Sequence, residues 1–408
     1  MPLDLKKVIT QFSSLEKQGA REQSQNRLDA TYKLFENATK NEKTLFSKIT
    51  ETQSSQKAGF FFAIPDQIEK IDLLTESQAN FSLPHVTVAT DGSQINPSAH
   101  EFTGASLINI GLVGIPYFET SLPVLLSSEP KIYSSTEDII SSNITQNIQE
   151  EDLIAYERTL REVEELVSLA KKYIAYKIPV IALLDGTLIH WHLEKFNAVF
   201  IEQFMKRFTD AILELKSLGI PVASFLSNSR SNDLINMLRI FNCPYESVDC
   251  KKYCAGLDSK NYPCNPIPDY KPVMDRKLIE KLFSLKNTKE GTRSILFRSN
   301  SKILNYYSDD IKIFFFYMDT GTEIARVELP AYVAHDKKLL NLVHNVISLQ
   351  CKAGFGYPIT LSEAHLQAVV NRDDRRIFYD LIKEYLLAKH GTSLKLSNKE
   401  LKKRISFV

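Results

Sequence analysis

The segment from Glu150 to Thr187 constrains the fold most. Leu153, Tyr156, Leu160, Val163, Val167, Ala170 and Ile174 recur at alternating three- and four-residue intervals, which predicts an amphipathic helix over 150–175. Pro179 is a stop signal just beyond it. VIALLDGT follows, and its near-continuous apolar run reads as a central strand buried on both faces. A long helix feeding a buried strand belongs to an α/β architecture.

The flanking sequence extends that reading. From His85, HVTVATDGSQI alternates Val86, Val88 and Thr90 with His85, Thr87 and Ala89, a strand punctuated by Asp91-Gly92-Ser93. Two further strands, over 105–113 and 115–122, carry glycine spacing that suits hairpins, an antiparallel set opening a mixed sheet. Downstream come a helix over 193–218, the strand VASFL, a helix over 277–285, the strand IFFFYM, a strand over 325–329 and closing helices over 337–351, 362–370 and 374–388. Residues 1–80 read as a polar helical arm. Leu5, Val8, Ile9, Phe12 and Leu15 form one thin apolar stripe, and Leu34, Phe35, Leu45, Phe46 and Ile49 a second. Such stripes suit an arm on a partner or on the body, or a solvated hairpin. Residues 243–275 lack periodicity and read as an insertion or long loop. The division expected is therefore an arm (1–80), an α/β domain (81–390) and a basic tail (391–408).

Charge narrows the function. Lys and Arg total 50 against 49 Asp and Glu, a net charge of +1. This argues against binding by bulk positive charge, but leaves room for a local basic groove. The tail sets Lys395, Lys399, Lys402, Lys403 and Arg404 against Glu400, either a solvated helix end or a contact to a DNA backbone. No apolar run approaches the roughly 18 residues of a membrane span, and MPLDLKKVITQFSSLEKQ lacks a signal-peptide core. A soluble cytoplasmic protein is the expectation. Five cysteines, an odd number in a large chain, argue against a disulfide framework.

Two apolar strands end in Asp-Gly, at Asp91-Gly92 and Asp185-Gly186. Aspartates projecting from adjacent strand ends sit where α/β sheets place their sites, and two close carboxylates call for a cation or a proton between them. Mg²⁺ and Mn²⁺ prefer such oxygen ligands. The alternative is that Asp-Gly merely signals a turn. The 150–175 helix adds Glu157, Glu162, Glu164 and Glu165; Glu165 falls opposite the apolar stripe and should face water, whereas Glu162 and Glu164 flank it. His365, in TLSEAHLQAV, is a candidate ligand or proton relay on a helix that Thr360 or Ser362 can cap. Tyr357, in AGFGYP, contacts a phosphate or base or plugs the core. Cys243, Cys250, Cys254 and Cys264 are close enough in sequence to hold Zn²⁺ or an iron–sulfur cluster, or they are reduced thiols in a loop. No G-x-x-x-x-G-K-[ST] loop occurs, which disfavours an ATPase.

Taken together, ATDGSQI (89–95), LINIG (107–111), RTLRE (158–162), LLDGTL (183–188), ARVELPAYVA (325–334) and GYPITLSEAHLQAVV (356–370) resemble the NurA nuclease family over roughly residues 85–380. The resemblance implies an RNase H-like mixed sheet flanked by helices. It also implies a Mn²⁺- or Mg²⁺-dependent deoxyribonuclease, acting as 5′–3′ exonuclease and single-strand endonuclease on single- and double-stranded DNA. Such proteins work as homodimers on a HerA-type hexameric ATPase in DNA-end processing and double-strand break repair. By motif, Asp91, Glu162 and Asp185 would be acidic metal ligands, His365 would complete the metal site or serve the reaction, and Tyr357 would be an accessory catalytic residue. Glu164 and Glu165 crowd the Glu162 motif and keep that assignment open. Arg326, in ARVELP, would contact DNA or buttress the sheet. The cysteine cluster departs from the shorter family pattern. A non-catalytic DNA clamp coupled to a translocase, and another phosphotransfer enzyme on the same core, are the competing readings.

Overall fold

The computed structural model describes residues 4–11, 18–66, 70–97, 104–134 and 148–390. Along the chain, α1 (Leu5–Ile9), α2 (Gln18–Lys40) and α3 (Glu42–Ser55) precede the short strand β1 (Ala63–Pro65). Then follow β2 (His85–Ile95), β3 (Ser106–Tyr117), β4 (Leu125–Tyr133), α4 (Glu150–Ile174), β5 (Val180–Asp185), α5 (Ala198–Ser217) and β6 (Val222–Leu226). The chain continues through α6 (Asp233–Asn242), α7 (Cys250–Tyr253), α8 (Asp275–Leu285), β7 (Phe297–Ser299), β8 (Ile313–Asp319) and β9 (Ile324–Pro330). It closes with α9 (Ala331–Ala334), α10 (Lys337–Ala353), α11 (Ile359–Ala368) and α12 (Arg372–His390). The nine strands hydrogen-bond in the order β1-β7-β8-β9-β6-β5-β2-β3-β4, an open mixed sheet with flanking helices.

Two strand readings need correction. β2 does not stop at Asp91-Gly92-Ser93; it stays paired with β3 from His85↔Tyr117 to Ile95↔Leu107. The two strands expected over 105–122 are one, β3, which pairs with β4 from Ser106↔Tyr133 to Gly114↔Leu125. β3 carries ladders on both edges and β2 keeps its ladder to β3 through Ile95, so pairing overrides the local break signals of the glycines.

The chain divides into two units. One contains Ser77–Leu226, Lys302–Phe314 and the described part of Val327–Val408. Its core packs Leu153, Leu160, Val163 and Val167 of α4 among Val86 and Val88 of β2, Ala182 and Leu184 of β5, and Phe204 and Phe208 of α5. α4 is buried over a wider arc than its stripe, because Ile154, Leu166, Leu169 and Tyr173 are buried as well. β5 is buried from Val180 to Leu184 and becomes exposed at Asp185.

The other unit contains the described residues of Met1–Glu76 together with Ser227–Ser301 and Phe315–Arg326. Leu34, Phe35, Leu45 and Ile49 pack among Leu234, Ile235 and Leu238 of α6 and Leu278, Ile279 and Leu282 of α8. This apolar stripe is therefore used within the chain. In α1, Leu5 and Ile9 are exposed, while Phe12, Leu15 and the basic tail lie outside the described residues. Asp275 is fully buried and accepts bonds from the backbone N–H of Leu234 (3.0 Å) and Ile235 (2.9 Å) at the start of α6, and from the Tyr317 hydroxyl (2.7 Å). It supplies the cap that Asn232 does not. Among the described residues, no helix is long and apolar enough to cross a membrane.

Candidate active site

β2 and β5 are parallel and run from Val86↔Val180 to Thr90↔Leu184. One further step along that register sets Asp91 beside Asp185, where β5 ends and β2 continues. Each aspartate accepts a bond from the N–H of the glycine after it, Asp91 Oδ1 from Gly92 (2.8 Å) and Asp185 Oδ1 from Gly186 (3.0 Å). The turn reading holds only at Gly186, whose φ is +85°. At Gly92 the glycine serves close approach: a Cβ there would lie 2.5 Å from Glu162 Oε1 and 2.6 Å from Arg158 Cγ.

α4 thus places Glu162 over β2 beside Asp91. The Thr90 hydroxyl donates to the Glu162 carbonyl (2.8 Å), which fixes the helix at this point. Burial pushes the Glu162 carboxyl up to about 7; the charges of Asp91 and Asp185 add to this, and Arg158 opposes it. Asp185 is raised for the same reasons, burial first and then Asp91. The other α4 acids are engaged elsewhere. Glu164 pairs with Arg207 (2.8 Å) and Glu165 with Arg161 (2.8 Å). Buried Glu157 pairs with Arg207 (2.6 Å). Glu162 is therefore the α4 acid that faces the aspartates. Glu165, expected in water, is partly shielded by its arginine.

α11 reaches the site through β3. Gly111 pairs with Asp91 across the ladder, and a Cβ at Gly111 would lie 2.3 Å from the Ala364 carbonyl oxygen and 2.6 Å from the Ala368 nitrogen. The Ala368 carbonyl accepts from Ser93 Oγ (2.5 Å) and Asn109 Nδ2 (2.9 Å). Seated this way, His365 brings Nδ1 to 2.8 Å from Asp91 Oδ2. Neither Thr360 nor Ser362 caps this helix. Its N-cap is Pro358, and the Thr360 N–H donates to Gln350 Oε1 of α10 (3.1 Å). Tyr357 packs its ring edge-on against Phe225 at 5.4 Å, and its hydroxyl faces Asp185 closely enough to lower that carboxyl's pKa. Burial and the Asp185 charge raise its pKa, so it remains a phenol donor. Arg326 is buried, pairs with Asp233 (3.0 Å) and stacks on Phe315 (3.6 Å), and so buttresses its own unit.

Sequence reasoning missed Arg158, whose Nε lies 3.1 Å from Glu162 Oε1. Its signal was the i,i+4 spacing within RTLRE. Among the described residues, no three Asp, Glu, His or Cys side chains already form a group that would hold a metal ion, and Arg158 occupies Glu162. The electrostatics nevertheless raise both Glu162 and Asp185 beside Asp91, so the donor set of oxygens plus an imidazole fits a hard divalent cation.

A pH dependence follows. Without a divalent cation, Glu162 binds its proton more tightly folded than unfolded, so stability falls as pH rises from 4.5 toward about 7. Urea midpoints in chelator should drop across that window, and Glu162→Gln should flatten the drop. A Gln variant with the wild-type slope would remove Glu162 as its source.

A family model described as NurA domain matches residues 85–370. The chain belongs to the NurA family. NurA proteins are a nuclease-type family, and the matched span runs from the first residue of β2 past the end of α11. It contains Asp91, Glu162, Asp185, Tyr357 and His365. No curated protein matches the chain. Among solved structures, prototype foamy virus protease–reverse transcriptase aligns at 14% identity over 37% of this chain, with a TM-score of 0.22, too low to carry a fold assignment. The chain covers 19% of that protein's length.

Proposed function

We propose that this NurA protein is a divalent-metal-dependent deoxyribonuclease in which Asp91, Glu162 and Asp185 are the acidic ligands. The observation that carries this reading is the crowding of Glu162 against Asp91 and Asp185, with His365 at 2.8 Å from Asp91. A bound divalent ion would supply positive charge to the phosphoryl oxygens and lower the pKa of a water. The chain's own residues set the geometry. The glycine N–H groups hold one oxygen of each aspartate, and the Tyr357 hydroxyl lends Asp185 a favourable dipole. His365, facing Asp91 through Nδ1 and with its side chain 66% exposed, has Nε2 available to take or give a proton toward the substrate. Arg158 must release Glu162 before that carboxylate can serve as a ligand.

The fuller reading is an RNase H-like core with Mn²⁺ preferred over Mg²⁺. Its activity is 5′–3′ exonuclease and single-strand endonuclease, in a cytoplasmic homodimer docked on a HerA-type translocase during DNA-end repair. End-labelled single- and double-stranded DNA should be cut with Mn²⁺ and left intact with EDTA. The Arg158–Glu162 pair favours a second reading, a non-catalytic clamp. Binding without cleavage under every metal condition, with the translocase present, would establish the clamp instead.

A further inference from the structure

Four free thiols, Cys243, Cys250, Cys254 and Cys264, line one pocket together with Arg239. They arrive on separately anchored pieces of chain. Cys243 caps α6, and its carbonyl accepts from Lys48 Nζ (2.5 Å). Cys250 and Cys254 lie one helical turn apart, the Cys254 N–H donating to the Cys250 carbonyl (3.0 Å), which puts both side chains on one face. The Cys250 N–H donates to the Lys57 carbonyl (3.2 Å). The Cys264 carbonyl accepts from Asn242 Nδ2 (3.1 Å), tying its loop to the Cys243 corner.

The setting suits a metal. Four thiols share one pocket, two of them buried, and the Arg239 side chain lines the same space. Its guanidinium lies over Phe60 at 4.6 Å, and its buried Nε has no hydrogen-bond partner among the described residues. Its Nη1 donates to the neutral Asn236 Oδ1 (3.0 Å), and the positive charge would offset thiols that become anionic. The pocket is narrow, which favours a single ion over an iron–sulfur cluster.

We propose that Cys243, Cys250, Cys254 and Cys264 bind a single Zn²⁺ ion as a tetrahedral thiolate site, with Arg239 offsetting its negative charge. The thiols do not already form a closed ligand group. Closing it requires side-chain rotation at Cys250 and Cys254, both partly exposed, and each thiol that binds loses its proton to solvent. The ion would then staple α6, α7 and the loop around Cys264 in a stretch with little regular structure.

The test uses full-length protein purified without chelator. Elemental analysis should find about one zinc per chain, as for a structural tetrathiolate site. Cys254→Ser and the Cys250→Ser/Cys264→Ser double variant should each lose most of that zinc, and Cys351→Ser should retain it. If the serine variants do not fold, wild-type protein loaded with Co²⁺ should show the thiolate-to-cobalt charge-transfer band and tetrahedral d–d bands. Wild-type protein free of zinc after incubation with zinc salt, or all four thiols reacting at once with a thiol reagent in the presence of zinc, would overturn the proposal. Iron with acid-labile sulfide would overturn the single-ion assignment.

Discussion

Asp91→Ala and Asp185→Ala should each lower DNA cleavage by at least ~100-fold, more than the ~10–100-fold typical for loss of an outer partner of a metal ligand. Neither substitution should unfold the protein. Asp185 stands at the exposed end of β5 and Asp91 is only partly buried. Their hydrogen bonds are to the neighbouring glycine N–H groups and His365, none of which organises the core. Removing either charge also relieves repulsion on Glu162, so melting temperatures should stay level or rise. The measurement is a single-turnover rate with Mn²⁺ alongside a thermal melt. Full activity in either variant sinks the metal-site assignment. Glu162→Gln should behave like the aspartate variants, whereas Glu164→Gln and Glu165→Gln should cut normally, because their partners are arginines outside the site.

Gly111→Ala should cost about 1–3 kcal/mol of stability, the usual range for overpacking a tight contact, and should lower cleavage with it. The added methyl meets backbone on both sides, the Ala364 carbonyl at 2.3 Å and the Ala368 nitrogen at 2.6 Å, so no side chain can swing away. α11 must lift from β3, which carries His365 off Asp91 and strains the bonds from Ser93 and Asn109 to Ala368. Gly104→Ala is the control, since a Cβ there meets nothing among the described residues within 4 Å. Urea midpoints and cleavage rates of the two variants separate the effects. A Gly111→Ala protein that unfolds and cuts like the wild type would show that this glycine does not seat the helix.

Much of the molecule was legible from side-chain periodicity. The α4 stripe and VIALLD mark one helix and one buried strand because burial against a sheet repeats at 3.6 and saturates a central strand, and those patterns are written locally. Asp91 and Asp185 were legible too, as polar residues closing apolar runs. The boundaries that failed were those where a neighbour overrides a local signal. DGS reads as a stop, yet β3 keeps β2 extended to Ile95. The choice among Glu162, Glu164 and Glu165 was likewise out of reach, because it depends on which arginines α4 and α5 bring near.

The sequence by itself determined the α/β class, the order of its main elements and the two aspartates, since each depends on residues adjacent along the chain. The tertiary structure alone decided that α11 descends on β3 at Gly111 to set His365 on Asp91, and that Arg158 holds Glu162 at the same spot. It also decided that four cysteines from different turns face one pocket. Those arrangements join residues as far as 274 positions apart, and local pattern carries no information about which distant surfaces will pack.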